Sequence, residues 1–228
     1  LHSLARFIQH NYCVDVVCIE KDLCLEESCT EVLNEVNVLN LRVNILINNA
    51  GIGSTQLFDE GSIYLYEKQV KLNVLATTLI TRLFLDMLKH NSPSYILNVG
   101  SMASFFSLPK KLVYGATKYF GYFFSKGLRR ELKKHNVHVS VLCPGGMNTN
   151  LAITLMNKTG NYFSRISIRN PEKAVTVAIN GLLGRFQHLL EPRQRRALFV
   201  EREFLRDRLL GRVHVPQQAV EGGVCGLE

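Results

Sequence analysis

The stretch VNILINNAG, residues 43–51, decides how this chain is read. Val43 to Ile47 is a short apolar run, long enough for a buried strand and too short for a helix. It passes directly into Asn48, Asn49, Ala50 and Gly51, small and turn-forming residues at which a strand stops. Beyond them, from about Ser62 to His90, apolar residues recur at helical spacing. A strand that ends in a loop and is followed by a long helix is the first half of a βαβ unit.

The pattern recurs on both sides. Upstream, residues 1–12 read as an amphipathic helix with Leu4, Phe7 and Ile8 on one side, residues 14–19 as a short buried strand, and residues 26–39 as a helix carrying Val32, Leu33, Val36 and Leu39. Downstream, the spacing predicts a strand at 95–99, a helix at 113–134 and a strand at 137–142 ending in Cys143, Pro144 and Gly145. A last helix is expected at 171–183, with Pro171 in the first turn, where its missing N–H does no harm. Short strands alternating with helices mean a parallel sheet covered on both faces. The expected fold class is therefore α/β, a doubly wound parallel sheet over residues 1–184. An arginine-rich tail follows at 185–228, helical in part around 196–210. In such sheets ligands sit beyond the carboxyl ends of the strands.

Composition narrows the function. With 228 residues the chain holds one sizeable domain, and 46% hydrophobic with 20% charged residues is the balance of a globular protein. No apolar run reaches the roughly 18–20 residues of a membrane span; the best stretch, 78–88, is broken by Arg82 and Asp86. The six cysteines form no C-x-x-C pair and have no histidine cluster near them, so neither a metal site nor a disulfide framework is expected, and a reducing cytoplasm is. The net charge of +8 invites nucleic acid as a partner. Its basic residues are scattered, however, except for Arg129, Arg130, Lys133 and Lys134 on one helix and the tail. A solvated helix face accounts for them, and nucleic acid is not an expected partner.

The chemistry is carried by YGATK, Tyr114 to Lys118. A tyrosine can act as an acid or base near neutrality only if its phenol, with a pKa of about 10 when unperturbed, is made more acidic. An ammonium at i+4 shares its helix face and favours the phenolate. The spacing alone is a weak signal: Tyr64 with Lys68 and Tyr122 with Lys126 have it too. Context selects Tyr114, because Ser101 stands thirteen residues earlier, immediately after the strand segment YILNVG at 95–100, where its hydroxyl can share a substrate oxygen. The equivalent positions before Tyr122 and Tyr64 are Pro109 and Gly51.

Taken together these motifs resemble the short-chain dehydrogenase/reductase family, single-domain type, with a Rossmann-like sheet. LINNAG carries Asn48, Asn49, Ala50 and Gly51; KLNVLA carries Asn73; VGS carries Ser101; YGATK carries Tyr114 and Lys118; PGGMNT carries Pro144, Gly145 and Thr149; EKDL carries Asp22. The resemblance covers residues 1–183. It implies an NAD- or NADP-dependent oxidoreductase moving a hydride between the nicotinamide and a small carbonyl or alcohol substrate. In that reading Tyr114 is the acid/base and Lys118 activates it and binds the ribose. Ser101 polarises the substrate oxygen and Asn73 anchors a proton-relay water. Asp22 meets the adenine, and residues 48–51, Pro144, Gly145 and Thr149 border the cofactor. The family implies homo-oligomers built on the two long helices. Phe105, Phe106 and a lid at 151–168 point to an apolar substrate.

Aligned on these motifs, the sequence starts in the helix before the family's third strand. The glycine-rich phosphate turn and the first two strands are not in it, so the domain is expected to be N-terminally truncated. The run at 14–19 would then lack a neighbour, and 43–47 would be an exposed edge. A non-catalytic binding or scaffold protein descended from such an enzyme is the alternative reading of the same residues.

Overall fold

The computed structural model describes residues 2–145 and 171–183. Helix α1 spans His2–Tyr12 and α2 spans Ser28–Val38. Strand β1, Ile45–Asn48, leads through a loop to α3, Ile63–Val70; a π turn, Lys71–Ala76, joins α3 to α4, Thr77–His90. Strand β2, Ser94–Val99, is followed by a 3-10 turn, Met102–Ser104, and by α5, Leu112–Leu132. Strand β3, Val137–Leu142, and α6, Pro171–Leu183, complete the described chain. The expected lid at 151–168, Thr149 and the tail at 185–228 lie outside the described residues.

The three strands form one parallel sheet in the order β1-β2-β3. Parallel neighbours need a crossover, which α3–α4 supplies from β1 to β2 and α5 from β2 to β3. Both crossovers step in the same direction across the sheet, so their right-handedness places both helices on one face. That face holds the main core. Ile96, Val137 and Val139 from the sheet meet Ile80, Phe84 and Leu88 of α4, Leu132 of α5, and Cys29 and Val36 of α2. Leu88 and Ile96 are fully buried, each contributing about 1.5–3 kcal/mol of apolar burial.

The α/β alternation expected from the sequence is what forms, with one correction. Residues 14–19 do not make a strand. A strand exists through its ladder, and among the described residues β1 pairs only with β2, which leaves this segment no backbone partner. Val14 and Val17 are about half exposed, although Ile19 and Leu23 still pack against the core. The free edge of β1 is open as anticipated, and Ile47 on it is 42% exposed.

The helix expected at 62–90 is present but not uniform. Ser62 caps it, its hydroxyl accepting from Leu65 N at 3.2 Å. Midway, the π turn widens the coil at Asn73. Such turns re-aim side chains and recur at functional positions.

Asn98 is a buried polar residue one position from the carboxyl end of strand β2, tolerable only if its amide is satisfied. Its Oδ1 accepts from Asn48 Nδ2 at 2.7 Å, and its Nδ2 donates to Ser125 Oγ of α5 at 2.8 Å. Asn48 Nδ2 also donates to Thr81 Oγ1 of α4 at 2.9 Å. Four side chains thus tie two strands to both crossover helices.

Candidate active site

The motifs meet at the carboxyl ends of β1, β2 and β3. Gly100 follows β2 directly, and its N–H donates to Leu142 O at the end of β3, 2.6 Å away. A Cβ at Gly100 would come within 2.9 Å of Cys143 Sγ and 3.2 Å of Leu142 O, so only glycine lets the two strand ends lie this close. The next residue, Ser101, caps the 3-10 turn, its Oγ accepting from Ala103 N at 3.2 Å. Met102 N donates to Pro144 O at 2.8 Å, which fixes the loop after β2 against the loop after β3. Gly115 of α5 faces Ala103 O, where a Cβ would stand 3.2 Å away. The serine loop therefore lies on the first turn of the helix that carries Tyr114 and Lys118.

Lys118 is buried, and its Nζ donates to Val99 O at 2.8 Å, two residues before Ser101. It stands 6.0 Å from the centroid of the Tyr114 ring. Opposite lies the loop after β1. A Cβ at Gly51 would meet Lys118 Nζ and Asn73 Oδ1, both at 3.1 Å; a Cβ at Gly53 would meet the Tyr114 ring at 3.0 Å. The glycines bring the loop backbone onto the tyrosine and the lysine, leaving a cleft whose wall is main chain.

Asn73 holds that wall in place. Its Oδ1 accepts from Ile52 N at 2.9 Å, and its Nδ2 donates to Ile52 O at 2.8 Å and to Thr117 Oγ1 at 3.0 Å. Thr117 Oγ1 donates in turn to Tyr114 O at 2.8 Å. The carboxamide of Asn73 is spent on joining the loop to α5, so any water it anchors must be held by its backbone.

The structure brings Asn73, Ser101, Tyr114, Lys118, Gly51, Pro144 and Gly145 to this one end of the sheet. Asn49 and Ala50 are exposed beside them. Asn48 is not turned to the cleft: both donors of its amide serve the sheet–helix network. Asp22 lies in an exposed turn, where its Oδ1 accepts from Cys24 N at 3.0 Å and this bond holds the carboxyl below its ordinary range. Phe105 packs edge-on against Tyr122, with ring centroids 4.9 Å apart, and so belongs at least in part to the aromatic face of α5. The sequence reading passed over Thr117, Gln69 and Lys111. Gln69 is fully buried, and its Nε2 donates to Ser54 Oγ at 2.9 Å. Thr117 and Lys111 each stand three residues from Tyr114, a spacing that could have marked them.

Burial pulls the Lys118 pKa below its ordinary 10.5, with the nearby Cys143 opposing weakly. Burial also pushes the Cys143 thiol up to about 12, which keeps it neutral. A lysine whose folded-state pKa is depressed binds fewer protons than in the unfolded chain between that value and 10.5. Its burial therefore costs stability at neutral pH, and the cost is relieved as pH rises toward 10.5. The stability of the wild type relative to Lys118→Met should thus increase between pH 7 and pH 10.5. Urea unfolding of both proteins at the two pH values checks this, and parallel values would refute it.

The profile of the short chain dehydrogenase family matches residues 1–160. The 3-oxoacyl-(acyl-carrier-protein) reductase FabG of Aquifex aeolicus is 31% identical over 153 residues, covering 67% of this chain and 62% of the relative. Human dehydrogenase/reductase SDR family member 11 is 31% identical over 143 residues, covering 60% of this chain and 55% of the relative. The chain thus spans between 55% and 62% of the length of these two curated proteins. Among solved structures, a short-chain dehydrogenase from Sphingobium yanoikuyae in complex with NADPH is similar with a TM-score of 0.70 and 23% identity. That likeness covers 100% of this chain and 84% of the other and speaks for the fold. A short-chain dehydrogenase from Streptomyces avermitilis has a TM-score of 0.60 and 25% identity, covering 66% of this chain and 55% of the other.

Proposed function

This chain belongs to the short-chain dehydrogenase family, and from that premise we propose that it is an NAD(P)-dependent oxidoreductase. It would interconvert a carbonyl and an alcohol, with Tyr114 as acid/base. The observation that carries the reading is the placement of Lys118. Its buried ammonium lies 6.0 Å from the Tyr114 ring in a cleft walled by glycine backbone and bordered by the Ser101 loop.

The residues present fit the nicotinamide–ribose half of a dinucleotide. Lysine has three N–H donors, and one Lys118 donor goes to Val99 O, which leaves others for ribose hydroxyls and the phenol. Gly51 lets the loop backbone lie against Lys118 and Asn73, where a Cβ would crowd both at 3.1 Å. No glycine-rich turn at a helix N-terminus stands among the described residues, so no part of them is assigned to the pyrophosphate. Bound there, the nicotinamide would supply or accept the hydride.

The chain's own residues do the rest. In reduction, the Tyr114 hydroxyl gives its proton to the substrate oxygen, and the charge left on the phenol is favoured by the adjacent ammonium. The Ser101 hydroxyl, spent so far only as an acceptor from Ala103 N, donates to the same oxygen. Asn73 positions both walls, joining Ile52 to Thr117. Pro144 holds the serine loop through Met102.

The five cysteines in the described residues are free thiols, which suits a reducing cytoplasm. No described helix is long and apolar enough to cross a membrane. Tyr119 and Phe123 on α5 are 45% and 67% exposed and would be covered in a homo-oligomer built on that helix.

Fluorescence titration with NADPH and NADH tests the reading. Saturable binding in the micromolar range is expected, weakened about tenfold or more by Lys118→Met as its ribose contacts are lost. Absence of saturable binding to either dinucleotide would leave a non-catalytic scaffold instead.

A further inference from the structure

Three residues before Tyr114 stands Lys111, on the same face of the helix start. Its Nζ donates to Thr55 Oγ1 at 2.7 Å, reaches Ser54 O at 3.5 Å, and lies 5.5 Å from the centroid of the Tyr114 ring. The loop that carries these acceptors also presses Gly53 onto that ring. Lys111 therefore occupies the rim of the cleft, beside the phenol.

Among the described residues Lys111 makes no ion pair, unlike other lysines of the chain. Lys21 pairs with Glu31 and Glu35, each at 3.0 Å, and Lys71 pairs with Glu67 at 2.7 Å. Lys111 is partly buried, its described partners are neutral oxygens, and burial pulls its pKa down. From Ser101 to Asn170 the one acidic residue is Glu131, in the last turn of α5, some five helical turns away. In the loop after β1 the first acids are Asp59 and Glu60, four and five positions beyond Thr55, and Glu60 Oε2 accepts from Leu57 N at 3.2 Å. A partly desolvated ammonium with neutral partners alone keeps an uncompensated cost, which an incoming anion removes.

We propose that Lys111 is a specificity-determining residue that binds a carboxylate on the substrate, so that the carbonyl compounds taken by this protein are oxo acids. One ammonium beside a hydroxyl suits a monoanion; a phosphate dianion calls for more donors, typically an arginine fork. The assignment rests on Tyr114 being the group that meets the carbonyl, since Lys111 is placed relative to that ring. An apolar chain on the acid remains compatible with the rest of the cleft.

The test compares 2-oxohexanoate and 4-oxohexanoate with their methyl esters, using wild type, Lys111→Met, Lys111→Arg and Thr55→Val. Steady-state NADPH oxidation gives KM and kcat, and saturation-transfer NMR gives binding without turnover. For wild type, KM for at least one acid should be about tenfold or more below that of its ester. Lys111→Met should erase the difference by raising KM for the acid alone, with kcat within about twofold. Lys111→Arg should keep part of it, and Thr55→Val, which removes the latch but not the charge, should keep all of it. Equal KM values for acids and esters overturn the proposal. So does a Thr55→Val variant that reproduces Lys111→Met, which would make the lysine a loop latch. So does the absence of an NMR signal for both acids. Acid binding that depends on Lys111 with no turnover of any substrate would support the anion site while sinking the hydride-transfer reading. Turnover of acids and esters alike would do the reverse.

Discussion

Tyr114→Phe is expected to lower kcat for carbonyl reduction by about 10²–10⁴-fold, the range a positioned general acid contributes. Dinucleotide affinity should change by less than about threefold, because the ring itself stays. The phenyl ring still packs on Gly53, so the fold is not put at risk and the loss reports the hydroxyl alone. The informative control is Tyr122→Phe. Lys126 stands 5.3 Å from the Tyr122 ring centroid, a little closer than Lys118 is to Tyr114 at 6.0 Å. If the tyrosine–lysine pair were sufficient, the control would be impaired too. What Tyr122 lacks is the cleft: it lies against Phe105 and Tyr119 on the aromatic face of α5. Its replacement should leave kcat within about twofold. A Tyr114→Phe protein retaining more than a tenth of the wild-type kcat would end the assignment of the phenol as acid/base.

The second large effect falls on stability. Asn73 is 5% exposed and makes three hydrogen bonds, to Ile52 N, Ile52 O and Thr117 Oγ1. Asn73→Ala removes all three and leaves two partly buried backbone groups of Ile52 without their partner, at a cost of about 2–4 kcal/mol. Asn73→Asp should be no milder. A carboxylate can accept from Ile52 N but cannot donate to Ile52 O or to Thr117, and it adds a charge to a buried site. Chemical denaturation of the three proteins gives the comparison. A loss below about 1 kcal/mol for Asn73→Ala would show that the loop is held by something else. With the loop released from Tyr114, activity should fall along with stability, whereas Tyr114→Phe should separate the two.

These two residues also show how far the sequence could be read. Strand β2 is legible because burial on both faces makes it a nearly continuous apolar run, and β3 because Val137, Val139 and Val141 alternate with His138 and Ser140; residues 95–99 and 137–142 lie within one residue of the observed bounds. The same rule misled at 14–19, since apolar character announces readiness for a sheet while the ladder itself depends on a neighbour elsewhere in the chain. The placement of Ser101, Tyr114 and Lys118 followed from local spacing and a strand end. The partners of Asn73 did not, because they come from 21 and 44 residues away and meet it through a π turn that no propensity announces. Asn48 shows the converse. Its place in LINNAG points to a cofactor loop, whereas its side chain is committed to Asn98 and Thr81. A single lysine at a helix start, such as Lys111, looks like solvent decoration in a sequence, and that its partners among the described residues are neutral is a three-dimensional fact.

The amide pair between β1 and β2 has a bearing on how the chain finds its alignment. Asn48 and Asn98 are opposite one another in the ladder. Parallel strands have no tight hairpin to fix their offset, and an apolar ribbon of Ile and Leu would tolerate sliding. Moving β1 by a single residue turns the Asn48 carboxamide to the other side of the pleat and parts it from both Asn98 and Thr81. Each amide group abandoned in hydrocarbon costs about 1–3 kcal/mol. Misaligned arrangements are thereby placed several kcal/mol above the correct one. The two asparagines work as a combination lock, admitting the one offset at which the strand ends, and every reactive group mounted on them, come level.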